Sequence, residues 1–179
     1  ASHQANMLGR LVADTLDLIQ IDGMEHHFVF NSLDFNTLVA DVVKSYVVLI
    51  QQANKPISLH FEPHPTPLLM QGEQKNLCLA VTHLLKNAIN FTPSGEIKVT
   101  IGKVEGGIYL QIRDTGIGIA AHDLPHIFER FFRGANVSQS TIPGSGLGLS
   151  VVEKIILLHN GRLAVESSLG QGSLFRLWL

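Results

Sequence analysis

The chain has 179 residues, 45% of them hydrophobic, and its 13 lysines and arginines against 15 aspartates and glutamates give a formal net charge of −2. This length fits one compact domain with a short appendage, since domains typically hold about 100 to 150 residues. The near-neutral charge, with no long basic run, speaks against nucleic-acid binding.

Two further features concern the environment of the protein. The single cysteine, Cys78, excludes an intramolecular disulfide, fits a reducing compartment and lies in an apolar helical pattern typical of core packing. No apolar run approaches the roughly 18 residues of a membrane span. We therefore expect no membrane contact by this piece and a cytoplasmic location, and we leave open whether a parent chain is membrane-anchored.

The first predicted element is an amphipathic helix over residues 2–21. Its stripe at three- and four-residue steps comprises Leu8, Leu11, Val12, Thr15, Leu18 and Ile19. The stripe fits packing onto its own domain, and it also fits one helix of a truncated coiled coil or bundle, so both interpretations stay open. After Asp22-Gly23, a short strand is predicted to begin at Phe28 and to run to Asp34.

Helical and alternating patterns follow in turn. A helix is expected over residues 38–49 with Ser32 or Asp34 as its N-cap, and then a strand over residues 57–61. A longer helix runs from Gly72 to the break at residues 92–95.

The second half of the chain predicts most of a sheet. Residues 97–101 and 108–112 alternate as strands joined by the Glu105-Gly106-Gly107 turn, which indicates a hairpin at the centre of the sheet. A further helix opens in the glycine-rich segment from Gly144 and is closed by Asn160-Gly161. Two strands, around residues 163–166 and 173–179, complete the sheet.

Residues 120–148 lack sustained periodicity apart from the short aromatic stretch at 126–133. A long loop inside a compact domain is usually functional and is often a lid. We predict such a lid over residues 134–146. Arg130 and Arg133 are placed to neutralise phosphate charge from it.

One candidate ligand-binding segment follows the second strand of the hairpin, where Asp114 precedes Gly116 and Gly118. A carboxylate at a strand end can accept a hydrogen bond from the amino group of a purine, and glycines allow backbone to approach a flat ring. The same residues are compatible with a plain turn. A nucleotide pocket is favoured because two other segments can complete it.

The second segment is Gly144-Ser145-Gly146-Leu147-Gly148-Leu149-Ser150, which opens a helix. Free backbone N–H groups at a helix start form a ready site for phosphate. The Gly-Lys-Ser/Thr of a P-loop is absent, and the spacing differs from the dinucleotide-binding fingerprint. A flexible glycine turn is the alternative interpretation.

The third segment is one face of the long helix, which carries His83, Asn87 and Asn90 at helical spacing. An asparagine carbonyl is a suitable ligand for Mg²⁺, which bridges to phosphate oxygens. Asn87 is therefore the predicted metal ligand.

Together these segments resemble a known family. Residues 83–93 around Asn87 are similar to the N box, residues 114–118 to the G1 box, residues 127–133 to the F box and residues 144–149 to the G2 box of sensor histidine kinases. The four boxes occur in the order that this family has. The resemblance covers residues 28–179 almost completely.

The resemblance implies an α+β fold of the Bergerat type shared with gyrase, Hsp90 and MutL. This is a two-layer α/β sandwich in which a mixed, mostly antiparallel sheet of about five strands is covered on one face by three helices. Residues 23–179 would form the catalytic and ATP-binding domain. Residues 1–22 would be the remnant of a helix from a dimerisation and phosphoacceptor domain.

The resemblance also implies roles for individual residues, with ATP or ADP and Mg²⁺ as ligands. Asp114 would hold the adenine amino group, Asn87 would hold Mg²⁺, and the glycines and the lid would hold the triphosphate. The implied catalytic residues are Asn87, Arg130 and Arg133. The implied nucleotide-binding residues are His83, Asn87, Asn90, Asp114, Gly116, Gly118, Ile119, Phe128, Arg133, Gly144, Ser145, Gly146, Leu147, Gly148 and Leu149.

The implied function is transfer of the ATP γ-phosphate to a histidine on a separate dimerisation domain, within a homodimeric parent that signals to a response regulator receiver domain. None of the nine histidines has the sequence context of the phosphoacceptor, so autophosphorylation of this piece is not expected. The family usually has Asn where this chain has His83, and Lys or Arg where it has Asn90. Two alternatives stay open: an ATP-hydrolysing clamp of the gyrase, MutL or Hsp90 type, and a nucleotide-binding pseudokinase module.

Overall fold

The structure is a computed structural model that describes residues 9, 12–17, 19, 21, 23, 29–134, 137, 142 and 144–179. Much of the predicted N-terminal helix, the predicted strand start at Phe28 and most of the predicted lid lie outside the described residues. Residues 12–17 are helical. In the described part of the chain, no helix combines the length and the apolar character needed to cross a membrane.

Seven strands and three α-helices make up the described domain. The helices are α1 (Phe35–Gln52), α2 (Gln74–Phe91) and α3 (Gly148–Leu158). The strands are β1 (Asn31–Asp34), β2 (Ile57–Glu62), β3 (Leu69–Gly72), β4 (Gly95–Val104), β5 (Gly107–Asp114), β6 (Arg162–Ser167) and β7 (Ser173–Trp178). One 3-10 turn, Leu124–His126, lies in the loop between β5 and α3.

Five of the strands form the main sheet, in the order β2-β4-β5-β7-β6. The pair β2 and β4 is parallel and the other three pairs are antiparallel. The predicted hairpin is confirmed: β4 and β5 pair up to Val104 opposite Gly107, and β5 is the central strand. The sheet is thus mixed and mostly antiparallel, as expected.

The core lies between the sheet and the helices. α2 packs against α1, α3 and β5, and α3 also contacts β6. Alternate residues of β4 and β5 are buried, as period-2 patterning requires when one face is covered. The innermost side chains of the two layers include Ile97, Val99, Leu110, Ile112, Leu84, Leu85, Val151 and Ile155. The two-layer α/β sandwich is confirmed.

The helix starts differ in how their free N–H groups are satisfied. Asp34 is the N-cap of α1 and accepts from the Asn36 backbone nitrogen at 3.1 Å, so of the two predicted caps Asp34 is the one used. Glu73 caps α2 through the Asn76 nitrogen at 2.6 Å. The N-cap position of α3 is Leu147, and no side chain caps this helix.

The first strand begins later than the sequence predicts, at Asn31, and the preceding Val29 and Phe30 are exposed and outside it. β1 pairs only with β3, in a two-stranded sheet whose last pair is Asn31 with Gly72. The chain enters α2 directly after Gly72, with Glu73 as its cap. No β3 residue is therefore available to pair with a longer β1.

Candidate nucleotide site

An open cleft lies between α2, the segment after β5 and the start of α3. The structure brings most of the predicted binding residues to its wall. They are His83, Asn87, Asn90, Asp114, Gly118, Ile119, Arg133, Gly144, Ser145, Gly146, Gly148 and Leu149. Segments from three distant parts of the sequence therefore meet at one cavity, as the motif pattern predicts.

Four other predicted residues do not line the cleft. Leu147 is completely buried in the protein, and Phe128 packs against the hydrophobic core. Arg130 is exposed. Gly116 lies directly behind the cavity wall, where its backbone nitrogen contacts Asp114. Any contact of these residues with a nucleotide stays a prediction.

Asp114 ends the central strand β5 and is only 5% exposed. Its Oδ1 accepts from the backbone nitrogens of Gly116 at 2.8 Å and Ser173 at 3.3 Å. Burial raises the pKa of this carboxyl above its usual value, and the two hydrogen bonds oppose that rise. Both described donors engage Oδ1, so Oδ2 is left to accept from a ligand in the cleft.

The two glycines after Asp114 are required by the packing of the protein itself. A Cβ on Gly116 would overlap the carbonyl oxygen of Phe91, which accepts from the Ile117 nitrogen at 3.0 Å. Gly118 has a φ of +68°, and a Cβ there would overlap the carbonyl oxygen of Ser168. The sequence analysis explains these glycines by the approach of backbone to a flat ring, and that explanation stays a prediction.

On α2, His83 is 5% exposed and its Nε2 lies 3.7 Å from Oδ2 of Asp17. Burial is the largest influence on the ring and lowers the pKa of His83. Asp14 and Asp17 oppose this lowering, and Lys86 adds to it. The imidazole is therefore neutral near physiological pH.

The other end of the cleft is the start of α3. Its first N–H groups have no side-chain cap, so their partial positive charge faces the space beside Gly144 and Gly146. Ser145 Oγ accepts from the Leu147 nitrogen at 3.2 Å and donates to Oδ2 of Asp14. A carboxylate from the helical residues 12–17 thus contacts the segment that leads into α3.

Arg133 connects parts of the predicted lid, residues 134–146. Its guanidinium donates to the carbonyl oxygens of Gly144, of Ile142 at 2.8 Å and of Val137 at 3.2 Å. The planar fork of arginine suits several acceptors at once. Arg133 therefore orders the described parts of the predicted lid, and its role toward phosphate stays a prediction.

Sequence reasoning missed several residues of the cleft, among them Asp14, Lys86, Ser173 and Phe175. Lys86 follows His83 by three residues, so helical spacing would have found it. The pairing of Ser173 with Asp114 depends on the strand order, and local pattern does not give it. The sequence carries no signal that brings Asp14 to the cleft.

The donor set fits an adenine nucleotide at its two ends. Asp114 offers a carboxylate oxygen at a partly apolar end of the cavity, which Ile119 and Phe175 also line. The uncapped start of α3 offers N–H donors at the other. Asn87 lies on the wall with a side-chain oxygen suited to Mg²⁺.

Comparison with known proteins identifies the class of this domain. The profile of the histidine kinase-, DNA gyrase B- and HSP90-like ATPase family matches residues 72–179. The chain belongs to this family, and it is a catalytic ATP-binding domain of the sensor histidine kinase type.

Individual relatives are similar over nearly the whole chain. The sensor-like histidine kinase SenX3 of Mycobacterium tuberculosis is 34% identical over 178 residues, which are 98% of this chain and 42% of SenX3. The chain thus spans less than half the length of that relative.

Two solved structures share the fold. The catalytic domain of histidine kinase ThkA has a TM-score of 0.72 and 25% identity, over 84% of this chain and 97% of that domain. Full-length ShkA in complex with AMPPNP has a TM-score of 0.76 and 25% identity, over 94% of this chain and 34% of ShkA. The expected Bergerat fold is confirmed.

Proposed function

We propose that this domain binds Mg-ATP and presents the γ-phosphate for in-line transfer to a histidine on a separate dimerisation domain. The observation that carries the proposal is that one cleft holds a carboxylate acceptor at one end, Asp114, and an uncapped helix start at the other. A nucleotide would span the cleft, with its adenine at the first end and its phosphates at the second. ShkA, which shares the fold, was solved with AMPPNP.

Each residue then has a defined task. Asp114 Oδ2 accepts from the adenine amino group, and the N–H groups around Gly146 and Gly148 bind phosphate oxygens. Asn87 holds Mg²⁺, which neutralises phosphate charge when it is bound. Arg133 keeps the loop over the phosphates ordered, so that positioning supplies most of the catalysis.

The proposal includes the rest of a longer protein. Residues 1–22 would be the end of a dimerisation-domain helix, and residues 23–179 the catalytic unit. The exposed apolar side chains of Val12, Leu16 and Ile19 suit a partner helix. We infer a homodimeric parent that passes the phosphoryl group to a response regulator receiver domain in the cytoplasm.

The decisive experiment incubates the chain with γ-labelled ATP, alone and with a separate helical phosphoacceptor domain of a histidine kinase. We expect acid-labile label on the added domain and none on this chain, because none of its histidines has the phosphoacceptor context. Asn87→Ala is expected to abolish most of the Mg²⁺ dependence, while His83→Asn is expected to keep or improve Mg-nucleotide affinity. Acid-labile label on the chain alone, lost in His83→Asn, would make His83 a substrate and contradict the proposal.

The ATP-hydrolysing clamp is a second candidate, because one observation favours it. His83 is neutral, lies four residues before Asn87 on the cleft wall and has its Nε2 without a hydrogen-bond partner among the described residues. Such a ring can act as a general base toward water. Steady ATP hydrolysis by the chain alone, abolished in His83→Asn, would favour the clamp. Nucleotide binding with neither transfer nor hydrolysis would favour a pseudokinase.

A further inference from the structure

Three side chains that commonly ligate metals meet beside the nucleotide cleft. Asp14 and Asp17 lie three residues apart and therefore on one face of the helical residues 12–17, and His83 faces them from α2. One ligand atom from each side chain lies within 4.8 Å of the other two. Asp14 and His83 are buried, and Asp17 is partly exposed.

The Nε2 of His83, unpartnered among the described residues, indicates that a ligand binds at this position. Its side chain is 6% exposed, and Nε2 is buried with no hydrogen-bond partner in the described part of the chain. Most buried ring nitrogens have such a partner, because leaving one unsatisfied costs free energy. The 3.7 Å between Nε2 and Oδ2 of Asp17 is too long for a hydrogen bond. It is close to the roughly 3.4 Å between two ligand atoms that share a tetrahedral ion.

The charge of the cluster also favours a cation. Asp14 is 7% exposed, and Asp17 has a side-chain exposure of 32%. Across the described residues, neither carboxylate pairs with a lysine or an arginine. Two carboxylates this close repel each other when they are partly buried. A divalent ion between them would neutralise both and would take the free nitrogen lone pair as its third ligand.

We propose that Asp14, Asp17 and His83 form a binding site for a divalent transition metal of the Zn²⁺ class. One imidazole with two carboxylates suits Zn²⁺, whereas Mg²⁺ prefers oxygen ligands alone. Water would complete the coordination, since the protein supplies three ligands. Its three protein ligands do not include Asn87, which is proposed to hold Mg²⁺ with nucleotide, although Asp14 and His83 line the same cleft.

The site has a consequence for the nucleotide cleft, and this part rests on the proposed function. A bound ion would fix residues 12–17 against α2, with the Asp14 carboxylate on Ser145. Ser145 lies three residues before α3, so the Asp14 carboxylate stands near the place where we put the phosphates of ATP. A carboxylate held at this position would repel the phosphates, so Zn²⁺ and the nucleotide should compete.

The test of the site is a titration of the 179-residue chain with Co²⁺, whose visible absorption reports its coordination, followed by displacement with Zn²⁺. We expect one equivalent to bind. Asp17→Asn and His83→Gln should each lower the affinity on the order of tenfold or more. His60→Gln, at an exposed histidine of β2, is the matched control and should bind like the parent. Equal affinities in the parent and in Asp17→Asn, or an equal loss in His60→Gln, would overturn the site.

A second measurement tests the competition. Adenine nucleotide affinity is measured with free Zn²⁺ held by a metal buffer and again with a chelator. Zn²⁺ is expected to weaken nucleotide binding of the parent by about fivefold or more. It should have no effect in Asp17→Asn, a residue that does not line the cleft. Zn²⁺ binding without weaker nucleotide binding would overturn the placement of Asp14 near the phosphate site. A chain that binds no nucleotide would refute the proposed function, and the Co²⁺ titration would still decide the metal site.

Discussion

Oδ1 of Asp114 lies 2.8 Å from the backbone nitrogen of Gly116, two residues further along the chain. The Ser173 nitrogen reaches the same oxygen from β7 at 3.3 Å. These two donors fix the orientation of a carboxylate at the end of the central strand. Oδ1 therefore binds backbone donors of the protein itself, and Oδ2 is open to a ligand.

The different roles of the two Asp114 oxygens predict the effect of Asp114→Asn. The amide oxygen can still accept from Gly116 and Ser173, but the amide NH₂ cannot accept from an adenine amino group. We expect adenine nucleotide affinity to fall by about 1 to 3 kcal/mol, measured by calorimetry. The thermal midpoint without nucleotide should not fall, since the change removes a buried charge. Unchanged affinity would show that Asp114 does not bind adenine.

The protonation of Asp114 gives a second prediction. Burial raises the pKa of this carboxyl above its usual 3.8, and the protonated form no longer offers two acceptors. Adenosine affinity should therefore fall as the pH is lowered from neutral through that raised pKa. The contribution of Asp114 to the free energy of unfolding changes in the opposite direction. It rises on acidification, because the folded state binds this proton more readily than the unfolded state does. Asp114→Asn is the control and should lack this step in affinity.

Gly116→Ala tests why a glycine follows Asp114. The new Cβ would overlap the Phe91 carbonyl, which is backbone and cannot move aside easily. Overpacking of this kind should lower the free energy of unfolding by about 1 to 3 kcal/mol, measured by denaturant titration. Gly23→Ala is the matched control, because a Cβ there meets nothing within 4 Å. Equal stability of the two variants would show that the segment relaxes freely.

His159 links the end of α3 to the start of α2 and predicts a pH effect on stability. Its Nε2 accepts from the Glu73 nitrogen at 3.0 Å, and its Nδ1 lies 2.8 Å from the Ile155 carbonyl oxygen. Burial lowers the pKa of this ring below its usual 6.5. The contribution of His159 to the free energy of unfolding is therefore complete above about pH 6.5, and it is lost as the pH falls through the lowered pKa.

The variant that tests this link is His159→Phe, which keeps a ring but leaves the Glu73 N–H without its acceptor. We expect a loss of about 1 to 3 kcal/mol near neutral pH, measured by urea unfolding. The difference in unfolding free energy between parent and variant should become smaller as the pH is lowered. His60→Gln, at an exposed position, is the control and should have the stability of the parent near neutral pH. A difference that stays constant with pH would contradict the neutral-ring assignment.

The sequence alone determined the elements that depend on neighbours in the chain. The β4–β5 hairpin follows from alternation and a glycine turn between adjacent strands, and Asp34 caps α1 because a cap acts within one helical turn. The position of Asp114 at a strand end and the shared helical face of His83 and Asn87 likewise follow from periods of two and 3.6 residues. These features needed no knowledge of the tertiary arrangement.

Tertiary structure decided the contacts between distant segments. Ser145 meets Asp14 across 131 positions of sequence, and Glu73 meets His159 across 86. Gly116 faces a backbone carbonyl of α2, and no local sequence pattern predicts this contact. Periodicity tells which side of an element is buried, but what that side contacts depends on the order of strands and helices in space. The contact of the Asp14 carboxylate with Ser145, on the wall of the cleft, was therefore determined only by the folding of the whole chain.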